Sequence, residues 1–317
     1  MKSSSSSERK LAVLLLLLLQ SCPATRVPPR PKMAVLKKEM PSLPIPRLCR
    51  SLDLFTEEGF IRVQDKGNLE SFFQAWAWIS ALDAEQAKSF VGELRIQNAA
   101  KEPGLFRPRL LPKPKKEGAK PFFPAFLGYD GIAHCPPWQK LRLGTIGGIC
   151  STEGYQAESI QAYAAHGTLR LGAAKDRILF KSASGAVTIT GPFRSAQGET
   201  DSGPVRIQVS PLAESLDIQT QLGNLALVIQ PGVRARIDFV SDQGNVIGKI
   251  PYGDRRVEPS VSSRRPSGLR HILLTIPPDF RPGTGANDNP GVRIRFHTRE
   301  GALILMAPQA ERSQGGG

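Results

Sequence analysis

The sequence predicts a mainly β protein, an antiparallel β-sandwich over residues 167–309 preceded by a small helical region and proline-rich linkers. Three observations carry this expectation. From Gly167 onward, short runs rich in Val, Ile and Leu alternate with turn-forming residues, from Thr168–Leu171 through Arg234–Val240 and Val292–His297 to Ala302–Met306. Most begin about ten residues apart, the signature of a sandwich or barrel. No helical pattern separates them, which argues against parallel βαβ units. Glycine and proline together make 57 of 317 residues, about 18%, above the ordinary usage of roughly 12% and suited to many turns. No period of 20–50 residues is evident, so a solenoid or propeller is not expected.

At the N-terminus, residues 1–24 read as a secretory signal. A basic stretch with Lys2, Arg9 and Lys10 precedes an apolar run from Leu11 to Leu19, and small residues follow at Ser21 and Ala24. The run is far shorter than the roughly 20 residues of a helical membrane span. Cleavage after Ala24 is one outcome. The segment Leu19-Gln20-Ser21-Cys22 also resembles a lipobox, in which Cys22 would be lipidated, and Met33 is an alternative start. The formal charge is +14, and removal of residues 1–24 (three basic side chains against Glu8) leaves about +12. The basic excess concentrates in two proline-rich stretches, 25–50 and 101–128, read as extended cationic linkers.

Between the linkers, residues 51–100 read as a helical hairpin. Leu69, Phe72, Phe73, Trp76 and Ile79 fall at helical spacing. Asp83 and Gln86 form a capping box for a second helix with Phe90, Val91 and Leu94 behind it. A bridging segment, 129–166, holds a short helix over Tyr155–Ala165, ended by Gly167. Cys135 and Cys150 flank its first half. In an exported protein they are expected to form a disulfide closing about 15 residues, worth roughly 3 kcal/mol. Cys49 would then be free or paired with Cys22. Residues 310–317 are a Gly-rich tail.

Within the sandwich, Ser241–Asn245 and Arg299–Gly301 are expected to be hairpin turns. Period-two alternation places Arg234, Arg236 and Asp238 on one strand face, opposite Ala235, Ile237 and Phe239. Likewise Arg293, Arg295 and His297 oppose Val292, Ile294 and Phe296. If the two strands share a sheet, four guanidinium groups converge, and such forks bind sulfate, carboxylate and phosphate bidentately. Arg234, Arg236, Arg293 and Arg295 are therefore the candidate ligand-binding residues.

The order Val233–Val240, the Asp242–Asn245 turn, Val246-Ile247-Gly248, Leu273–Pro278 and Val292–Phe296 resembles the C-terminal half of a galactose-binding-like jelly roll of the carbohydrate-binding-module type. The likeness covers residues 233–306 and implies a jelly-roll-like sandwich and a carbohydrate ligand. Trp76, Trp78 and Trp138 lie outside it, so it assigns no sugar-stacking residue.

Catalytic signatures are lacking. There is no G-x-S-x-G elbow. His134, His166, His271 and His297 show no zinc spacing, and Asn287-Asp288-Asn289 reads as a turn rather than a calcium loop. No acidic pair marks a glycosidase, and no cofactor motif is present. The sequence thus predicts an exported, non-enzymatic protein that binds an anionic or carbohydrate ligand at an envelope or extracellular matrix. The alternative is an assembly component of a larger envelope complex, docking through its basic linkers and helical hairpin. The expected partners are an anionic polymer or glycan surface, a membrane surface reached through the linkers or a lipidated Cys22, and, less favoured, nucleic acid.

Overall fold

A recurrent corner organises the chain. Among the described residues, seven strands of one sheet end in Ser or Thr and turn to a glycine three positions on: Thr56/Gly59, Thr145/Gly148, Ser182/Gly185, Thr200/Gly203, Thr220/Gly223, Ser241/Gly244 and Thr298/Gly301. An eighth corner has Ala164 before Gly167. The buried hydroxyl closes the turn against the glycine backbone. Ser182, Thr200 and Thr220 donate to the carbonyls of Gly185, Gly203 and Gly223 at 2.9, 2.9 and 2.7 Å. Thr145, Ser241 and Thr298 accept from the N–H of Gly148, Gly244 and Gly301 at 2.8, 2.6 and 2.8 Å.

In the computed structural model, which describes residues 34–65, 67, 70–81, 85, 87–88, 94–112, 126–248, 260–261, 270–276 and 291–306, each corner carries the chain from one sheet to the other. Strands before the corners build sheet 1, in the spatial order Ser51–Thr56, Lys140–Thr145, Ser159–Ala164, Ala173–Ser182, Phe193–Thr200, Ser215–Thr220, Val292–Thr298 and Ala235–Ser241, all parallel. Strands after the corners build sheet 2: Phe60–Asp65, Ile149–Ser151, Thr168–Leu171, Val187–Ile189, Val205–Val209, Leu225–Ile229, Leu303–Met306 and Val246–Gly248, again parallel. One corner with its two strands is a rung. The stack is a two-sheet parallel β-solenoid, and the 292–306 rung lies between the 215–229 and 235–248 rungs.

Other strands extend the stack, at one end on sheet 2 and at the other on sheet 1. On sheet 2, Phe126–Cys135 runs parallel beside Phe60–Asp65, followed by the antiparallel strands Phe72–Ala81 and Ala34–Glu39. On sheet 1, Arg270–Ile276 lies antiparallel to Ala235–Ser241. The inward residues of both sheets form one core, in which Phe239 and Phe296 of neighbouring rungs are fully buried and stack at 5.4 Å.

The corner glycines stack directly on one another. A Cβ built on Gly148 would lie 2.0 Å from the carbonyl oxygen of Gly59, on Gly167 2.2 Å from that of Gly148, and on Gly185 1.6 Å from that of Gly167. The column continues through Gly203, Gly223, Gly301 and Gly244, each 2.0–2.3 Å from the carbonyl before it. No side chain fits between carbonyls at this spacing, so glycine at each corner permits the close approach.

Several expectations are corrected here. The chain is mainly β, but the rungs pair in parallel rather than as an antiparallel, jelly-roll-like sandwich. The ten-residue spacing of apolar runs is half a rung, two strands on two sheets. The full period appears at Thr145, Ala164, Ser182, Thr200, Thr220 and Ser241, at intervals of 19, 18, 18, 20 and 21 residues. Ser241–Asn245 and Arg299–Gly301 join strands of different sheets and are corners, not hairpin turns. The helix expected over 69–79 is the strand Phe72–Ala81: Phe73, Ala75, Ala77 and Ile79 are buried while Phe72, Trp76 and Trp78 face outward. Period two and aromatic content outweighed the helical spacing.

Of 82–93, Glu85, Ala87 and Lys88 are described and helical, and Leu94 opens the strand Leu94–Asn98. Tyr155–Ala165 is not a helix, because Ser159–Ala164 is a rung strand. The linkers contain strands at Ala34–Glu39, Leu105–Phe106 and Pro108–Pro112. Residues 1–33, with the leader and Cys22, lie outside the described residues, as do 113–125, Asn287–Asn289 and 307–317.

Cys135 and Cys150 are not bridged; both are buried free thiols. In the sheet 2 register Cys150 stands beside Ile61 and Cys135 beside Asp65. That is four residues apart along the strand direction, about 13 Å, whereas a bridge needs Cα atoms within roughly 7 Å. Burial pushes the Cys135 thiol up to about 11 and Cys150 to about 12. Labelling of native protein at pH 8 should therefore be slow at both and complete after denaturation. The folded state favours the protonated thiols, so stability is unaffected by them below the ordinary value of 9.0 and falls as pH rises from there towards 11–12. A denaturation series from pH 8 to 11 checks the sign.

Candidate ligand-binding face

The outer face of sheet 1 collects the candidate arginines. Arg293, Arg295 and His297 project outward while Val292, Ile294 and Phe296 are buried. On the neighbouring strand Arg236 is exposed and Asp238 half-buried between the buried Ala235, Ile237 and Phe239. The parallel register sets Arg236 directly opposite Arg293, and Asp238 opposite Arg295. On the other side of the same strand, Ser215 faces Arg293 and Asp217 faces Arg295. Arg236, Arg293 and Arg295 thus belong to one sheet, with Arg234 immediately before its strand, and they are not equivalent. Arg295 stands between two aspartates, whereas Arg236 and Arg293 are side by side with Thr275 and Ser215 beyond them.

Like charges directly opposite on adjacent strands are destabilising, so the Arg236–Arg293 pair is a cost to the fold that an anion would relieve. Arg234, just before its strand, is exposed and borders a recess of about 110 Å³ with Pro211, Gly232 and Gly291. At the far margin of the pair, Asp238 hydrogen-bonds His271 Nε2 on the antiparallel strand.

Towards the other end of sheet 1 the face forms a groove of about 850 Å³, lined by Phe55, Arg142, Gln161, Tyr163, Leu179 and Lys181 among others. Its floor is Gly144, where a Cβ would come within 2.7 Å of the Phe55 ring. Tyr163 is 46% exposed. Ion pairs rim the groove: Lys181–Glu199 at 3.0 Å and Arg107–Asp53 at 2.7 Å. Beyond it, Trp138 is 50% exposed, with a positive φ of 69° and Lys175 Nζ 6.0 Å from its ring centroid. A left-handed backbone is uncommon for a non-glycine residue and marks local strain.

Phe55, Tyr163 and Trp138 were not singled out as binding residues from sequence. The available signal was alternation in Lys140–Thr145 and Ser159–Ala164, which places Gly144 and Tyr163 outward at matching positions. Among the described residues, no group of three or more His, Cys, Asp and Glu side chains is placed to hold a metal ion.

No family model matches the chain, and no curated protein matches it. Among solved structures it is similar to a candidate cell adhesion protein from Clostridium sporogenes, at 8% identity over 87% of this chain and 100% of that one, with a TM-score of 0.30. A candidate adhesin from Bacteroides fragilis is similar at 8% identity over 87% and 99%, TM-score 0.40. A candidate lipid-binding protein from Parabacteroides distasonis is similar at 11% identity over 86% and 94%, TM-score 0.35. Similarity at this level assigns neither ligand nor activity.

Proposed function

We propose that this chain is an exported, non-enzymatic binding protein that recognises an anionic or carbohydrate ligand at a cell envelope or extracellular matrix through the outer face of sheet 1. The observation that carries the reading is the juxtaposition of Arg236 and Arg293 on adjacent parallel strands. Two exposed guanidinium groups one strand apart, about 4.8 Å, form a fork for sulfate or carboxylate, with the hydroxyls of Ser215 and Thr275 in the same row. Arg234 lies just before the strand that carries Arg236, and Arg295 stands in register between Asp217 and Asp238. The groove with Phe55 and Tyr163 on the same face offers rings against which sugar faces pack.

Changing Arg234, Arg236, Arg293 and Arg295 to glutamine tests the reading. Surface changes of this kind usually alter stability by no more than about 0.5 kcal/mol each. The variant is expected to leave a heparin column at lower salt than the parent, because exposed charges are screened beyond about 10 Å at 0.1 M salt. Identical elution would remove the arginine fork from the function. Of the four, Arg236→Gln and Arg293→Gln should each shift elution more than Arg295→Gln.

A further inference from the structure

The outer face of sheet 2 has a different chemistry from that of sheet 1. Its register aligns Arg62, Ser151, Arg170, Thr188 and Arg206 in one row across five adjacent strands. Arginine recurs at every second strand and a small hydroxyl residue lies between. All three arginines are exposed, Thr188 is half-buried and Ser151 is covered. The row contains no carboxylate. The acidic groups near its margins are Asp130, which pairs with Lys37 at 2.9 Å and accepts the Phe60 N–H, and Glu153 at the turn after Ser151. Beyond Arg206 the row becomes apolar, with Ala226, Ile304 and Ile247 in register, so the cationic part ends after five strands.

We propose that this row is a second binding site, on the face opposite the Arg236–Arg293 fork, and that it takes a linear acidic polysaccharide lying across the strands. Strands are about 4.8 Å apart, so the guanidinium groups recur about every 10 Å and the row is about 19 Å long. A fixed ladder of cations at twice the strand spacing matches a chain in which every second sugar carries a carboxylate, each met by a guanidinium fork. Ser151 and Thr188 between the arginines carry no charge, as the intervening neutral sugar requires. Single-stranded nucleic acid is disfavoured, because its sites interleave stacking rings with the cations, and here Ser151 and Thr188 occupy those positions.

The test uses the full chain with three immobilised probes: hyaluronan, in which acidic and neutral sugars alternate; heparin, charged on every sugar; and oligo-dT. The parent is expected to bind hyaluronan in a salt-dependent way. The triple variant Arg62→Gln, Arg170→Gln, Arg206→Gln should lose about tenfold in affinity, with an unchanged circular dichroism spectrum. Lysine at the same three positions should restore the binding only in part, since it keeps the charge but cannot form the guanidinium's two-bond fork. The tenfold loss should be the same in an Arg236→Gln, Arg293→Gln background, which separates this site from the proposed fork whatever the fork itself contributes. The inference is overturned if the parent does not bind hyaluronan, if the triple variant binds it as the parent does, or if oligo-dT binds more tightly than hyaluronan with the same dependence on the three arginines.

Discussion

Replacing Gly185 with alanine should destabilise the protein by about 3 kcal/mol, at the upper end of the cost of overpacking. The added Cβ would meet the Gly167 carbonyl oxygen at 1.6 Å and its carbon at 2.8 Å. Both are backbone atoms held in the ladder, so relief requires the 159–171 and 173–189 rungs to part at the corner. Parting them also disturbs the bond between Ser182 Oγ and the Gly185 carbonyl. Gly154→Ala is the control. Its φ of 77° is unfavourable for alanine, but no atom lies within 4 Å of the added Cβ, so its cost should stay near 1–2 kcal/mol. Urea denaturation followed by circular dichroism gives the comparison. Equal midpoints for the two variants would mean that the glycine column does not set the rung contact.

Phe296→Ala should cost about 4 kcal/mol, within the range for removing a buried phenylalanine ring. Phe296 is fully buried and lies opposite Phe239 in the register, their rings 5.4 Å apart and nearly parallel. Its loss leaves a void between the 292–306 and 235–248 rungs, and the aromatic contact is lost with it. Phe296→Leu retains most of the volume and should cost less than about 1.5 kcal/mol. Repeat architectures can unfold in parts, so the decisive readout is hydrogen exchange of the Ala235–Ser241 and Val292–Thr298 amides. In Phe296→Ala these should exchange faster, while Lys140–Thr145 should not. Uniform loss of protection would show that the stack opens as one unit.

Much of the local structure was legible in the sequence, and the pairing was not. Alternation around Ile237 and Ile294 gave the buried and exposed faces of both arginine strands, because period two is a property of a strand whatever its neighbour. Direction of pairing leaves no such trace. A ten-residue recurrence of apolar runs fits an antiparallel meander and a solenoid of two strands per turn equally well. What separates them is a sparse signal, a hydroxyl residue three positions before a glycine, repeated at 18–21 residues and interrupted where Ala164 replaces the hydroxyl. Register with distant strands also decided the site. Nothing near Arg295 in sequence shows that Asp217 will flank it, and nothing near Arg170 shows that Arg62 and Arg206 will share its row.

The position of the 292–306 rung bears on how the protein acquires its shape. A solenoid can grow by adding each turn to the one just made, with contacts that remain local along the chain. Here the 235–248 turn does not stack on the 215–229 turn that precedes it, because residues 292–306 stand between them. That arrangement raises the contact order at one end of an otherwise sequential stack, and non-local pairing of this kind is slow. Until residues 292–306 dock, two strand edges in each sheet remain open to mispairing, a hazard during synthesis. Arg236 and Arg293 come together only when residues 292–306 pair with the 235–248 turn, so the proposed fork depends on this non-local contact.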